Sequence, residues 1–313
     1  MSAPRAEGVR RHWEDLPHEV RSAIEERLGA RVVEATTQPT GFSPGLAARL
    51  RLDDGRRAFV KAVSAEANPD TPNIHRREAR ILSAMPAAAP VPRLQWTYDD
   101  RGWVALCLED VDGRHPHEPW TEEDLSLVLD TYGELARLLT PSPIAVDESA
   151  AQGFENDING WQLALARGET RLDPWCVKHL VRLAELEARA PAAAKGDTLL
   201  HFDARADNLL MAGDRVYVLD WPWARPGAWW IDIVAMAPSI AMQGGPPPEA
   251  VLSRLDLSAV AKDDLDAVIC TIAGYFHVGA LEPAPAGIPT VRAFQAAQGR
   301  HAVAWLRHRV GWD

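Results

Sequence analysis

The sequence is poor in cysteine, and the three cysteines that it contains lie far apart. Cys107, Cys176 and Cys270 make no C-x-x-C pair in a chain of 313 residues. Their spacing and their odd number argue against a disulfide framework and against a structural zinc site. Such a chain fits a reducing compartment, so we expect a cytoplasmic protein.

Long hydrophobic runs are missing as well. No uninterrupted apolar stretch reaches the roughly 18 residues that a membrane-spanning helix requires. The residues at the start of the sequence also lack the apolar core of a secretory signal peptide. We therefore expect a protein that has no membrane partner.

Basic residues are fewer than acidic residues in this chain. The chain has 33 lysines and arginines against 44 aspartates and glutamates, which gives a formal net charge of −11. Because a nucleic-acid backbone demands a basic face, this balance argues against a nucleic-acid partner. It is compatible with a cationic small molecule drawn into an acidic cleft, and equally with plain solubility.

Several nucleotide-binding and kinase motifs are absent. The sequence contains no G-x-G-x-x-G and no G-x-x-x-x-G-K-[ST], and the second absence argues against a P-loop NTPase. It also lacks the A-P-E and D-F-G tripeptides of protein kinases, and Asp220-Trp-Pro replaces the latter. The usual activation segment is therefore missing, so we do not expect a protein acceptor.

What the chain does contain is an H-x-D-x4-N motif from His201 to Asn208, followed by a second aspartate at Asp220. Phosphoryl transfer needs a carboxylate beside the attacking hydroxyl and oxygen ligands for the magnesium ions that bridge the phosphates. Asp203 would supply the carboxylate, and Asn208 and Asp220 would supply the metal ligands. The alternative is that these are ordinary turn and cap residues.

Two short apolar runs separate Asn208 from Asp220. Residues 209–211 and 216–219 flank a turn-like Ala-Gly-Asp-Arg, so we predict an antiparallel hairpin. The two ends of such a hairpin lie about 5 Å apart. Asn208 and Asp220 stand at those ends, so the hairpin would bring both to one metal site. This arrangement favours the kinase interpretation over the turn-and-cap alternative.

An upstream half of a kinase is also present. Residues 46–52 and 57–63 flank Asp-Asp-Gly-Arg and predict another hairpin, with Lys61 in its apolar second strand. A buried ammonium group needs a partner. A helix is predicted to begin with Thr71 as N-cap, and Glu78 lies one turn from the apolar residues of its stripe. Glu78 would turn inward toward Lys61; the alternative is a solvated charge on an arginine-rich helix.

Five further residues are candidate contacts for the substrates. Gly41 and Ser43 belong to a loop that would fold over phosphates through its N–H groups, unless it is an ordinary loop. Arg205 would stabilise charge on a transferring phosphoryl group, or would neutralise a neighbouring aspartate. Trp223 and Trp230 would stack on a sugar or an aromatic drug, or would pack in the core.

These residues, in this order, resemble the aminoglycoside phosphotransferase family, which includes choline-kinase-like enzymes and kinases that act on antibiotics. The resemblance implies that Lys61 contacts the α- and β-phosphates of ATP and pairs with Glu78. It implies that Asp203 is the catalytic base or the group that orients the hydroxyl. It also implies that Asn208 and Asp220 bind magnesium.

The resemblance extends from about residue 41 to residue 232 and includes a hinge. Main-chain groups near Glu109 and Val111 of that hinge would hydrogen-bond the adenine. Asp232 matches a family aspartate that acts as a structural brace. One departure is Phe202, which stands where the family usually has glycine. Its bulk would reshape the loop or close the substrate side, and would leave the reacting carboxylate in place.

We predict an α+β fold, because strands come first in the chain and helices follow. The resemblance implies a bilobal, protein-kinase-like arrangement. Residues 1–108 would form a small β-rich nucleotide-binding lobe, 109–113 the hinge, and 114–313 a larger, mainly helical catalytic and substrate lobe. Helices are predicted at residues 15–28, from 71, from 121, and at 174–190, 262–280 and 291–310.

The sequence therefore predicts an ATP- and magnesium-dependent small-molecule kinase. By resemblance, the acceptor would be an aminoglycoside-like or other hydroxylated antibiotic, and the protein would act in antibiotic resistance. An amino sugar or a choline-like metabolite is the alternative acceptor. A nucleotide-binding pseudokinase is the non-enzymatic alternative; the intact site residues count against it and only Phe202 favours it. No obligate protein partner is evident.

Overall fold

The computed structural model describes the chain at residues 4, 8–42, 44–66, 69–285 and 287–313. Within these ranges the fold is α+β, as predicted: a six-stranded sheet occupies the N-terminal part, and a mainly helical part follows it. None of the helices in these ranges is long and apolar enough to cross a membrane.

The six strands form a mostly antiparallel sheet. They are β1 (Arg10–Arg11), β2 (Val32–Thr37), β3 (Gly45–Leu52), β4 (Arg57–Ser64), β5 (Leu94–Asp100) and β6 (Trp103–Leu108). Their spatial order is β1-β3-β4-β6-β5, and β2 also pairs with β3. The pairing of β1 with β3 is parallel. The predicted upstream hairpin is confirmed as β3 and β4, and Lys61 lies opposite Ala47 and Leu106 in the middle of the sheet.

Eleven helices and two small two-stranded sheets complete the fold within the described ranges. The helices are α1 (His18–Leu28), α2 (Thr71–Ala84), α3 (Glu122–Leu138), α4 (Ala150–Asn156), α5 (Gly160–Arg167), α6 (Pro174–Glu187), α7 (Ala190–Ala193), α8 (Ile231–Met242), α9 (Pro248–Leu252), α10 (Lys262–Gly279) and α11 (Val291–Val310). The small sheets pair β7 (Thr198–Leu200) with β10 (Arg225–Gly227), and β8 (Leu209–Ala212) with β9 (Arg215–Val218). Every predicted helix is present within a few residues of its predicted bounds.

The predicted start of α2 was wrong by one residue. Asp70 occupies the N-cap position, and Thr71 and Pro72 are the first two helical residues. Proline is tolerated there because the first N–H groups of a helix have no partner within the helix. The error does not change which face of the helix is buried.

One face of the sheet is covered by α1. Val20, Ile24 and Leu28 of that helix pack in one hydrophobic cluster with strand residues that include Val60. Successive side chains of a strand point to opposite faces. Lys61 therefore points to the other face, toward α2 and the helical part.

A second, larger cluster fills the helical part, and α2 joins it to the sheet. Ile81 and Leu82 of α2 are members of this cluster, which also contains residues of α3, α8 and α10. Glu78 lies one turn earlier on the same helix and is 1 % exposed. The fold thus holds Glu78 at the junction of the two parts.

A buried carboxylate in the helical part provides a test of stability. Glu187 of α6 accepts hydrogen bonds from Trp161 N at 3.1 Å and Gln162 N at 2.8 Å, at the first turn of α5. Burial raises its pKa to about 7. Glu187→Ala would leave the buried Trp161 N–H unpaired, so we expect the free energy of unfolding to fall by about 2 kcal/mol.

Chemical denaturation followed by circular dichroism measures this loss. Glu185→Ala is the matched control, because Glu185 is an exposed glutamate of the same helix. It should change the free energy of unfolding by less than about 0.5 kcal/mol. Equal losses in the two variants would show that the hydrogen bonds that Glu187 accepts from the first turn of α5 contribute nothing to the free energy of unfolding.

Candidate active site

Three charged groups meet where the sheet faces the helical part. Lys61 Nζ lies 2.7 Å from Glu78 Oε1 and 2.7 Å from Asp220 Oδ1, so one ammonium group joins β4, α2 and the segment after β9. Burial acts to lower the pKa of Lys61, but the two carboxylates raise it above its ordinary value. Burial also acts to raise the pKa of Asp220, and the Lys61 ammonium nevertheless holds it well below its ordinary value. Lys61 and Asp220 are therefore both charged.

The hairpin of β8 and β9 holds Asn208 and Asp220 at its open end. Leu209 lies opposite Val218, and Leu219 N donates a hydrogen bond to Asn208 O at 2.8 Å. The predicted hairpin is therefore confirmed. Asn208 and Asp220 line the same cavity, as its geometry requires.

The loop that precedes this hairpin is fixed by Asp232 of α8. Its carboxylate accepts hydrogen bonds from His201 N at 2.7 Å and from Phe202 N at 2.8 Å. His201 is fully buried, and its Nε2 donates to Leu219 O at 2.7 Å. These are the contacts of a structural brace. Phe202 has a φ of 64°, in the left-handed region that favours glycine.

Asp203 lies at the centre of this loop. Its Oδ1 accepts a hydrogen bond from Arg205 Nη1 at 2.6 Å, and its Oδ2 lies 3.3 Å from Asn208 Nδ2. Burial raises the pKa of Asp203 to about 6, and the Arg205 guanidinium opposes this rise. In the described part of the chain, no hydrogen-bond donor contacts Asn208 Oδ1. That oxygen is available as a ligand.

Arg205 connects the loop to two other elements. Its Nε and Nη2 donate to the carboxylate of Asp207 at 3.0 and 2.9 Å. Its guanidinium lies 5.1 Å from the centre of the Phe42 ring and 5.8 Å from that of Phe294 in α11. Of its two predicted roles, the ion pairs with neighbouring aspartates are present. Its contact with a phosphoryl group stays a prediction.

A first cavity of about 990 Å³ opens between the sheet and the β8–β9 hairpin. Seven of the residues predicted from the sequence line it: Gly41, Lys61, Glu78, Glu109, Val111, Asn208 and Asp220. Ser43, which was predicted with Gly41, lies outside the described residues. Leu46, Phe59 and Leu108 give the cavity an apolar section beside these polar groups. The cavity therefore combines an apolar slot with a charged end.

The predicted hinge residues are partly engaged. Glu109 N donates to Arg93 O at 2.8 Å, and Val111 O accepts from Arg49 Nη2 at 2.7 Å. Among the described residues, no hydrogen bond uses Glu109 O or Val111 N–H. These two residues of the first cavity thus keep one backbone acceptor and one backbone donor that no described group uses.

Several residues of the first cavity escaped the sequence analysis, and Arg10 and His75 are two of them. Arg10 of β1 lines the cavity; burial lowers its pKa, and Asp220 and Asp207 oppose this effect. His75 of α2 also lines it, and burial lowers its pKa to about 3, so it is neutral. His75 precedes Glu78 by three residues, and that spacing on one helix face is a pattern that would have revealed it. Nothing in the sequence around Arg10 indicates its position.

A second cavity, of about 830 Å³, lies on the other side of the loop and is lined by Asp203 and Arg205. Its walls come from distant parts of the chain, and most are apolar. Six aromatic residues line it: Phe42, Phe154, Phe202, Tyr275, Phe276 and Phe294. Asp203 thus faces this cavity, while its neighbour Asn208 faces the first.

The two tryptophans that the sequence analysis singled out, Trp223 and Trp230, lie outside the second cavity. Trp230 is 4 % exposed and belongs to the larger hydrophobic cluster, where burial of its large ring is favourable. Trp223 is 40 % exposed. Of the two predicted roles, core packing is present for Trp230, and contact of either tryptophan with a substrate stays a prediction.

Comparison with protein families gives one match. The model of the APH family, described as a phosphotransferase enzyme family, matches residues 40–267, which is well over half of the chain. No curated protein sequence matches this chain.

Solved structures share the fold at low sequence identity. A candidate fructosamine-3-kinase from Thermobifida fusca is 19 % identical with a TM-score of 0.59, over 92 % of this chain and 100 % of that one. An amicoumacin kinase in complex with AMP-PNP, Ca²⁺ and Ami is 11 % identical with a TM-score of 0.58, over 92 % of this chain and 96 % of that one. An aminoglycoside-3′-phosphotransferase of type VIII is 22 % identical with a TM-score of 0.55, over 83 % and 100 %. These similarities confirm the kinase-like α+β fold.

Proposed function

The chain belongs to the phosphotransferase enzyme family, and we propose that it is an ATP- and magnesium-dependent kinase of a hydroxylated small molecule. The nucleotide would occupy the first cavity and the acceptor the second. The product would be a phosphate ester of the acceptor, together with ADP. The reaction class follows the family, and the assignment of each cavity rests on the residues that line it.

One observation carries this proposal: Asp203 and Asn208 contact each other across the boundary between the two cavities. Asn208 and Asp220 line the first cavity, and Asp203 lines the second. Asn208 Nδ2 donates to Asp203 O at 2.9 Å, so the two groups are held at a fixed separation. A γ-phosphoryl group bound near Asn208 and a hydroxyl bound near Asp203 would therefore meet.

The residues of the first cavity fit a nucleotide. The adenine would lie in the apolar section and bond to Glu109 O and Val111 N–H. Lys61, held by Glu78, would contact the α- and β-phosphates, and the N–H groups of the loop at Gly41 would cover them. A solved relative, the amicoumacin kinase, holds AMP-PNP and Ca²⁺.

The donor set also fits magnesium. Asn208 and Asp220 supply amide and carboxylate oxygens, the ligand types that magnesium prefers. In the described ranges, no group of three His, Cys, Asp or Glu side chains could hold a metal by themselves. That agrees with an ion held jointly by one carboxylate and by phosphates. When bound, magnesium would neutralise charge on the phosphates during transfer.

The transfer step uses Asp203 as the partner of the acceptor hydroxyl. The hydroxyl oxygen forms a bond to the γ-phosphorus while the bond from that phosphorus to the bridging oxygen of ADP breaks. The hydroxyl proton passes to the Asp203 carboxylate. Arg205 holds that carboxylate in place through Oδ1. Predicted acceptors are an aminoglycoside-like or other hydroxylated antibiotic, or an amino sugar or choline-like alcohol.

Release of ADP from Mg-ATP, measured over a panel of hydroxylated compounds, tests the proposal. The panel should contain aminoglycosides, macrolides, neutral aromatic alcohols, amino sugars and choline. We expect turnover with one class, and a thermal shift on addition of Mg-AMP-PNP without any acceptor. Absence of the thermal shift would contradict the proposal, because nucleotide binding does not depend on the identity of the acceptor.

The cellular location stays a prediction. Cys107, Cys176 and Cys270 are buried free thiols in the structure. We propose a cytoplasmic enzyme because free thiols persist in a reducing compartment. Fractionation of cells that produce the protein would test this.

A further inference from the structure

The second cavity offers little negative charge for a cationic acceptor. Its charged lining residues in the described part of the chain are Asp203, Arg205 and Asp232, and the other members of the lining are apolar, aromatic or amide residues. Both carboxylates already have partners. Asp232 accepts two main-chain N–H groups, and Asp203 pairs with Arg205. An acceptor with several ammonium groups would leave most of them without partners there, which is costly in a buried site.

The walls of the cavity are built from pairs of aromatic rings. Phe154 and Phe202 lie 5.5 Å apart between ring centres on one side. Phe42 and Phe294 also lie 5.5 Å apart, in an edge-to-face arrangement. Rings of this kind bind apolar rings of a ligand through large contact areas. The aliphatic part of the lining consists of Ile158, Ile231, Ile272, Val291, Ala204 and Ala235.

Phe202 is held in place by a specific support. Arg225 lies 4.6 Å from the centre of the Phe202 ring, and its Nη1 pairs with Glu148 at 3.2 Å and with Asp157 at 3.6 Å. Gly153 leaves room for this guanidinium, which would have to move to admit a Cβ at that position. The ring therefore rests on a buried guanidinium whose charge is balanced by one half-buried and one exposed carboxylate, and a fixed ring makes a well-defined wall.

The backbone conformation at Phe202 indicates that this residue is present for the aromatic ring that it adds to the second cavity, and not for the main-chain conformation. A φ of 64° is disfavoured for a phenylalanine and free of strain for a glycine. Glycine would thus form the same loop more easily and would still donate its N–H to Asp232. What glycine would lose is the ring that faces the second cavity.

We infer that the acceptor is a hydroxylated compound with an uncharged aromatic or alicyclic body, and that Phe202 determines this specificity. The inference rests on the proposed function, because it assigns the acceptor to the second cavity. It disfavours the polycationic aminoglycosides among the predicted acceptors. The hydroxyl would reach Asp203 while the apolar body packs between the Phe154–Phe202 and Phe42–Phe294 pairs.

Methyl NMR of the full chain labelled at isoleucine tests the inference without knowledge of the natural acceptor. The probes are 2-naphthylethanol, a neutral ring alcohol, and 2-deoxystreptamine, a hydroxylated diamine. We expect 2-naphthylethanol to shift the Ile231 and Ile272 methyl signals, and 2-deoxystreptamine to bind there at least about tenfold more weakly. Comparable or tighter binding of 2-deoxystreptamine, or no shift with 2-naphthylethanol, would overturn the inference.

Variants then test the role of Phe202. Phe202→Gly should weaken the binding of 2-naphthylethanol by about tenfold or more. Phe154→Leu keeps an apolar side chain in the same pair of residues, so it should weaken this binding less. Trp229→Ala is the control, because Trp229 is an exposed aromatic residue outside the second cavity, and it should have no effect. If Phe202→Gly binds the alcohol as wild type does, Phe202 does not determine specificity.

A separate readout keeps this inference distinct from the proposed function. The same samples are titrated with Mg-AMP-PNP, whose predicted site lies in the first cavity. If the wild-type protein does not bind Mg-AMP-PNP, the kinase proposal is rejected. Nucleotide binding together with preference for 2-deoxystreptamine would reject only the acceptor class.

Discussion

Asp203→Asn is expected to reduce kcat by about 10³-fold while leaving the affinity for Mg-AMP-PNP close to that of the wild-type protein. Asn keeps the size of the side chain but removes the carboxylate that would take the hydroxyl proton. Asp203 lines the second cavity and not the first, so nucleotide binding should not depend on its charge. Steady-state ADP release and isothermal titration with Mg-AMP-PNP measure the two quantities.

A matched control separates the role of this carboxylate from a general loss of charge. Asp197→Asn removes an exposed carboxylate a few residues before the loop and should leave both quantities unchanged. If Asp203→Asn keeps more than about a tenth of the wild-type kcat, proton transfer to Asp203 does not limit the reaction. If nucleotide binding is lost as well, the variant has disturbed the loop, and thermal unfolding would show it.

Asp220→Ala should remove most of the effect of magnesium on nucleotide binding. We expect the affinity for AMP-PNP in magnesium to fall by about 100-fold, because the proposed site would lose its carboxylate ligand and keep one amide oxygen. In EDTA the variant should bind AMP-PNP as tightly as the wild type does, or more tightly. The reason is that the substitution removes a negative charge beside the phosphates. Titrations with and without magnesium separate these effects.

The control for this variant is Asp214→Ala. Asp214 is the exposed aspartate in the turn of the same hairpin, so its removal tests the hairpin without touching the cavity. Lys61 would retain Glu78 as a partner in Asp220→Ala, so the fold should persist. A variant whose AMP-PNP affinity still rises with magnesium as in the wild type would contradict the metal assignment.

The parts of the site that lie close together in the sequence were predictable. The β8–β9 hairpin follows from two apolar runs around a turn, and it alone places Asn208 beside Asp220. The pairing of Lys61 with Glu78 follows from a buried strand lysine that needs a partner and from a helical stripe that points one carboxylate inward. These inferences need only the local periodicity of apolar residues and the rule that a buried charge requires a partner.

The remaining parts depend on packing between distant elements. Phe42 precedes β3 and Phe294 lies in α11, and no period of the sequence indicates that the two rings meet around Arg205. For the same reason the sequence could not show that Trp223 and Trp230 lie outside the second cavity, because composition does not tell which way each ring faces. Phe202 was recognised as a departure from the family, but its left-handed backbone and its support by Arg225 are visible only in the structure.

The link between Lys61 and Asp220 has a consequence for how this protein becomes functional as it folds. The two residues are 159 positions apart in the sequence, and their contact closes a long loop. Closing such a loop has an entropic cost, and contacts of high sequence separation form late in slowly folding chains. The strand lysine can already pair with Glu78, which is 17 positions away, but the hairpin aspartate lacks its ammonium partner until the two parts meet. The proposed nucleotide site therefore forms only when the sheet and the β8–β9 hairpin have come together in the folded chain.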